Sequence, residues 1–177
     1  IYNGGEKIKM IYLAYLGEAK KLEHGNNSKK YFIVRRPVSG IPKGFIHLPH
    51  LSPSAELLEN AQRWKRKEFN DEERLKLLKK YIDIESDDAW WVLYEPIFRK
   101  ELEIRKDVRK GIEIIRKDIQ DRRDVYLFCY CKDVDRCHRV LVGEYLEQMG
   151  FEVDFRREKI EEENFCQLNM FGEKGEG

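Results

Sequence analysis

Threonine is absent from this 177-residue chain, and glutamine occurs only four times. Abundant Lys, Glu and Arg with few Gln is the bias of heat-adapted proteins, and it points to a thermophilic source. No apolar run approaches the ~18 residues of a membrane span, so none is expected. An excess of one charge sign is also missing: Lys+Arg number 34, Asp+Glu 33, and the net charge is +1. That excludes a generally basic nucleic-acid coat but leaves room for a local basic patch. No secretory signal is visible at the N-terminus, and four cysteines in a chain of this length do not resemble a disulfide scaffold. The expectation is a cytoplasmic protein with reduced thiols. What is present is a 41% hydrophobic share, within the globular range.

The patterning predicts one α/β domain over residues 1–155 and a charged, weakly patterned tail over 156–177. The expected sheet is mixed or mostly parallel, flanked by helices on both faces, with a helical section at about 53–122. "KIKMIYLAYL" (7–16) reads as a first strand, "EHGNNSKK" (23–30) as a loop and "YFIVRR" (31–36) as a second strand ended by Pro37. Four prolines from Pro37 to Pro53 predict a surface loop. A helix is expected from "SPSAELL", with Ser52 capping, Pro53 in the first turn, and Leu57, Leu58, Ala61 and Trp64 as its buried stripe. A second helix over 71–82 would bury Leu75, Leu78 and Ile82. Pro96 is expected to open a third, whose isoleucine stripe through Ile119 breaks near Gly111. "DVYLFCYC" (124–131) reads as a strand buried on both faces, "CHRVLVGEYLEQMG" (137–150) as a helix ended by Gly150, and "FEVDF" (151–155) as a strand. Strand, helix and strand in this span form a βαβ unit, which requires a parallel pair.

Three of the four cysteines fall in "CYCKDVDRCHR" (129–139). The loop 132–136 would sit at the carboxyl end of a central strand, the edge at which open α/β sheets bind ligands. Cys137, His138 and Arg139 would then occupy a first helical turn, where unpaired N–H groups and the helix dipole favour anions and thiolate. Arg139 adds bidentate recognition of phosphate or carboxylate. Four ligands suited to zinc are present, but the spacing is not that of a zinc finger. Neighbours on a helix also diverge by ~100°, so no metal or other cofactor is expected. A cysteine phosphatase loop wants five residues between Cys and Arg; here Cys131 to Arg136 leaves four, and the loop has no glycine. A Cys131–Cys137 disulfide is sterically conceivable, and core packing is the common fate of a buried cysteine such as Cys129.

"LFCYCKDVDRCHRVLVGEYL" resembles the C-terminal motif of the domain of unknown function 488 family, in which a strand and short acidic loop precede a Cys-His-Arg helix start. "VRRPVSGIPKG" is similar to that family's Arg-Pro loop, and "LSPSAELL" and "YEPIFRKELE" resemble the Leu-x-Pro-Ser helix start and the aromatic-x-x-x-Glu-Leu helix of one of its branches. The resemblance spans roughly residues 10 to 150 and implies a compact α/β domain without a settled activity. It carries over Arg35, Arg36, Ser39, Ser52, Ser54, Cys137, His138 and Arg139, with Glu101 as a further candidate. Members often have Asp before the early Val-Arg; here that position is Ile33.

The expected function is binding of an anionic small molecule or nucleic-acid phosphate. Arg35, Arg36, Ser39 and Arg139 would be the ligand contacts and Cys137 or His138 the nucleophile or general acid/base. No triad partner is visible, so enzyme and binding protein are both compatible with the residues. Trp64, Trp90 and Trp91 lie among basic residues, a combination used for single strands, although Trp64 also falls on a core stripe. "QLNMF" (167–171) resembles the bacterial sliding-clamp-binding pentapeptide. Gln167, Leu168, Met170 and Phe171 would be its contacts, tethering a non-catalytic repair or replication accessory protein.

Overall fold

The computed structural model describes the backbone of residues 2–3 and 6–7, and residues 9–19, 27–36 and 43–155. Strands β1 (Tyr2–Asn3) and β2 (Glu6–Lys7) form a small antiparallel pair. The main sheet holds β3 (Ile11–Tyr15), β4 (Ser28–Phe32), β5 (Ile46–His47), β6 (Asp124–Cys129) and β7 (Val153–Asp154). Its order is β5-β4-β6-β3-β7, and every pairing is parallel. Between β5 and β6 lie α1 (Ala55–Lys65), α2 (Asp71–Lys79), α3 (Ala89–Ile104) and α4 (Lys106–Gln120); α5 (His138–Gln148) joins β6 to β7. The expected α/β architecture is present, with a wholly parallel sheet.

The two faces of the sheet are unlike. Leu13, Leu127 and Tyr31 share one register row, and with Ile11 and Val125 they face a core to which all five helices contribute, through Leu57, Leu77, Phe98, Ile112 and Leu141. Alternation sends Tyr12, Ala14, Phe32, Tyr126 and Phe128 to the other side. There Leu16, Ala19 and Phe45 pack, and Tyr12 stacks on Tyr126 with ring centroids 4.7 Å apart. Among the described residues no α-helical side chain belongs to that second cluster. Nor is any helix among them long and apolar enough to cross a membrane.

Several boundaries differ from the pattern reading for physical reasons. β4 starts at Ser28, inside the expected loop, because Ser28, Lys29 and Lys30 pair with β6. The proline-rich stretch is not simply surface: it contributes β5 and a 3₁₀ turn at Pro49–Leu51, and Leu48, Leu51 and Ser52 are buried. Ser54, not Ser52, caps α1, accepting the Leu57 N–H at 3.1 Å; the Ser52 hydroxyl donates instead to the Pro49 carbonyl at 2.6 Å. In α2, Asn70 and Glu73 form a reciprocal capping box, and the helix stops at Lys79, with Tyr81 in the left-handed region. The stripe through Ile82 therefore never completes. Leu77 is the buried residue, and Leu75 and Leu78 are 52% and 62% exposed.

Pro96 lies inside α3 rather than at its start. An interior proline costs about 3 kcal/mol relative to alanine, and burial of Leu93, Tyr94, Phe98 and Leu102 offsets it. The isoleucine stripe breaks at Arg105, whose extended backbone (ψ 127°) separates α3 from α4. Gly111 instead continues α4 and meets the 3₁₀ turn: a Cβ there would sit 2.8 Å from His50 Cβ and 3.3 Å from Leu51. Gly150 does take the expected left-handed cap, at φ 86°.

Gly111→Ala is expected to destabilise the protein. The helix-propensity gain of about 1 kcal/mol is outweighed by overpacking of about 1–3 kcal/mol, because the atom met is a Cβ that cannot swing away. A chemical-denaturation midpoint at or above wild type would contradict this packing.

Candidate functional site

Chain direction sets the site. From β4 the chain passes outward to β5; from its neighbour β6 it passes the other way, over β3 to β7. Such a reversal opens a crevice beyond the carboxyl ends of the two strands. The segments that leave there are Val34-Arg35-Arg36 and Cys129-Tyr130-Cys131, and both line a cleft of about 530 Å³. One wall is α1, through Leu58, Gln62 and Lys65, and another is the start of α3, through Trp90, Trp91 and Tyr94.

The loop after β6 turns back on itself. Asp133 accepts the N–H groups of Asp135 (2.9 Å) and Arg136 (3.3 Å), and Cys137 caps α5, its sulfur accepting the Arg139 N–H at 3.5 Å. This return gathers Cys129, Cys131, Cys137 and His138, whose ligand atoms all lie within 4.8 Å of one another. Cys129 Sγ is 3.6 Å from Cys131 Sγ and 3.6 Å from His138 Nδ1. The divergence expected of helical neighbours does not apply. Cys137 precedes the helix with extended backbone (φ −124°, ψ 134°), and Cys131 lies beyond the strand end. All three thiols are free. His138 Nε2 sits 2.7 Å from the Ile33 carbonyl. A carbonyl only accepts, so Nε2 carries the proton and Nδ1 faces the sulfurs.

Electrostatically the four groups act together. The Cys131 thiol is pulled well below its ordinary value, first by the hydrogen bond from Cys129, then by Cys137 and His138. Its partner Cys129 is pushed up to about 12, chiefly by the bond to Cys131, and Cys137 is raised in the same sense. Burial alone would lower His138, but hydrogen bonds to Cys131 and Cys137 raise it to about 10.

The predicted residues divide by place. His138 lines the cleft, but Cys137 (0% exposed) and Arg139 (2% exposed) are buried and do not. Cys137 is therefore sealed from a substrate, and Arg139 is not presented to an anion in the cleft. The thiol that is both partly exposed and on the cleft is Cys131. Arg35 lines the cleft while tied back, its Nε donating to the Pro53 carbonyl (2.7 Å) and Nη2 to that of Ser52 (3.3 Å). Arg36 is exposed at the rim. Ser52, Ser54 and Glu101 form the supporting frame. Glu101 accepts the Ser54 N–H at 2.8 Å and pairs with Arg105 at 3.0 Å, and Arg105 also donates to the Ser52 carbonyl at 2.8 Å. Ser39 and the segment with Gln167, Leu168, Met170 and Phe171 lie outside the described residues.

The cleft also draws on residues beyond those assigned to the anion site from sequence. Lys65 Nζ stands 4.0 Å over the Trp90 ring, Trp91 stacks on Tyr94 at 5.2 Å, and Arg136 pairs with Asp88 and, at 3.7 Å, with Asp133. An adjoining depression of about 430 Å³ shares Lys65, Trp90, Cys131 and Arg136 with it. The signal for these residues was the basic run around Trp64 and the paired Trp90-Trp91, but Trp64 itself is core.

A family model described as "DUF488-N3a: Active DUF488-N3 subclade" matches residues 74–150. That span runs from α2 through α5 and holds the whole thiol cluster. No curated protein and no solved structure matches the chain.

Two outcomes follow from this geometry. Iodoacetamide at pH 6, added to chelator-treated protein, should alkylate Cys131 ahead of Cys129 and Cys137, read by peptide mass spectrometry; Cys137 reacting first would contradict the burial described. Glu101→Ala should lower stability by about 1–3 kcal/mol, because the Ser54 N–H and Arg105 lose their acceptor, and an unchanged melting temperature would show that the frame is dispensable.

Proposed function

For a chain that carries a DUF488-family domain, we propose that the cleft binds a phosphate-bearing ligand with an aromatic base: a nucleotide or a nucleic-acid end. The observation that carries this reading is the combination of cations and rings around one crevice. Arg36, Lys65 and Arg136 supply positive charge, and Trp90, Trp91 and Tyr130 supply aromatic surface. The volume of about 530 Å³ falls in the range of small-ligand sites. Glu59 is the acid among the cleft residues, so the balance favours an anion.

The anion is placed against the side chains of Arg36, Lys65 and Arg136, not at the start of α5. There Cys137 already takes the Arg139 N–H through its sulfur and the Val140 N–H through its carbonyl. A phosphate oxygen would share Arg136 with Asp88, and the base would lie against the Trp90-Trp91 wall. Of the groups first considered for catalysis, Cys137 is inaccessible and His138 has both nitrogens engaged. The reading is therefore one of recognition, with Cys131 as the thiol within reach of the bound molecule. Tethering to a sliding clamp through Gln167, Leu168, Met170 and Phe171 stands as a separate proposal on the sequence motif alone.

Titration of the full chain with AMP, ATP and a short single-stranded oligonucleotide should give saturable binding that quenches tryptophan fluorescence. Inorganic phosphate should bind more weakly. Losing one charge-assisted contact removes about 1.5 kcal/mol or more, so Arg36→Ala and Lys65→Ala should each weaken binding about tenfold or more. No saturable binding, or binding indifferent to both substitutions, would remove the proposal. For the tail, truncation after Asn164 that leaves clamp association unchanged would remove the tether.

A further inference from the structure

We propose that Cys129, Cys131, Cys137 and His138 hold one zinc ion, in a Cys₃His site at the floor of the cleft. This goes beyond the ligand reading and does not rest on it. The argument begins with distances. Tetrahedral zinc with Zn–S about 2.3 Å and Zn–N about 2.0–2.1 Å sets its ligand atoms apart by about 3.8 Å for two sulfurs and about 3.6 Å for sulfur and nitrogen. Here the two separations from Cys129 Sγ, to a sulfur and to a nitrogen, are both 3.6 Å, and no pair among the four atoms exceeds 4.8 Å. Thiol hydrogen bonds bring sulfurs together in pairs. Four donor atoms of the softness zinc prefers, closed about one point, is the arrangement of a single-ion site.

The surroundings are those a zinc site needs. A ligating histidine is normally oriented by a bond from its other nitrogen to a carbonyl or carboxylate. His138 Nε2–H donates to the Ile33 carbonyl at 2.7 Å, so Nδ1 is the nitrogen turned toward the sulfurs, and it gives up its proton when it takes the ion. The Arg139 N–H reaches Cys137 Sγ at 3.5 Å, a contact that supports thiolate. Three thiolates and one neutral imidazole around Zn²⁺ carry a net charge of −1, and Arg35, Arg36 and Arg136 line the same cleft.

With four protein ligands the site is closed and structural in type. It joins three pieces of chain: the end of β6, the start of α5 and, through Ile33, the segment leaving β4. Its effect is to hold the loop that carries Tyr130 and Arg136 into the cleft. Cys131 is the ligand nearest solvent and the one through which chelators would remove the ion.

The test is elemental analysis of the full chain, purified without added metal. The expected result is one zinc per chain, lost in Cys131→Ser and retained in Cys166→Ser and Arg36→Ala. Because a ligand variant can fail to fold, the wild-type chain is also stripped with chelator and titrated with cobalt(II). Thiolate-to-cobalt charge transfer and tetrahedral d–d bands should saturate at one equivalent, and zinc should displace them and raise the melting temperature of the stripped protein. Absence of zinc together with absence of these bands would overturn the proposal, as would stoichiometric iron in place of zinc, or zinc that persists in a folded Cys129→Ser/Cys131→Ser variant. Loss of nucleotide binding in Arg36→Ala with zinc retained would bear on the cleft ligand alone.

Discussion

The site turns on one hydrogen bond, from His138 Nε2 to the carbonyl of Ile33, between residues 105 positions apart. It ties the first residue of α5 to the chain leaving β4, next to the last backbone pairing of β4 with β6, where the Ile33 N–H donates to Phe128. Because a carbonyl can only accept, the bond also fixes Nε2 as a donor and turns Nδ1 toward the three sulfurs. With that anchor in place, the loop over 130–136 has both ends held, and Cys131, Tyr130 and Arg136 arrive at the crevice together. A buried imidazole without this partner would leave a polar atom unsatisfied and the sulfurs without a fourth neighbour.

A second constraint supports the opposite wall. α1 can border the crevice only if its first turn is held down, and that turn is gripped from below. Glu101 takes the Ser54 N–H, Arg105 takes the Ser52 carbonyl, and Arg35 takes the carbonyls of Ser52 and Pro53. Arg35 therefore belongs both to the frame and to the cleft surface. Burial and the nearby charge of Arg105 lower its affinity for its proton, and Asp107 and Glu101 compensate. Such a network fixes the first turn of α1 and with it the wall that carries Leu58 and Lys65.

Much of the architecture was legible because it is local. The apolar run at 124–129 is a strand buried on both faces, the stripe of Leu57, Ala61 and Trp64 is buried in α1, and Gly150 ends α5. The misreadings came from tertiary competition. Leu75 and Leu78 look like a core stripe, but the helix ends too soon for it. Pro96 looks like a helix start, but aromatic packing carries the helix through it. Gly111 looks like a break, but it is where α4 meets the turn at His50 and Leu51.

By itself the sequence determined the α/β class, the order of most elements, and the concentration of thiols beside a histidine after a central strand, because each of these is written in short-range pattern and residue type. Only the tertiary structure decided that four of those side chains converge. Their approach depends on the extended backbone of Cys137 and on where β6 ends, neither of which spacing reveals. It also decided that Arg139 is buried while Arg36, Lys65 and Arg136 meet around paired tryptophans, for these come from segments separated by up to a hundred residues and are neighbours only because the strand order reverses between β4 and β6.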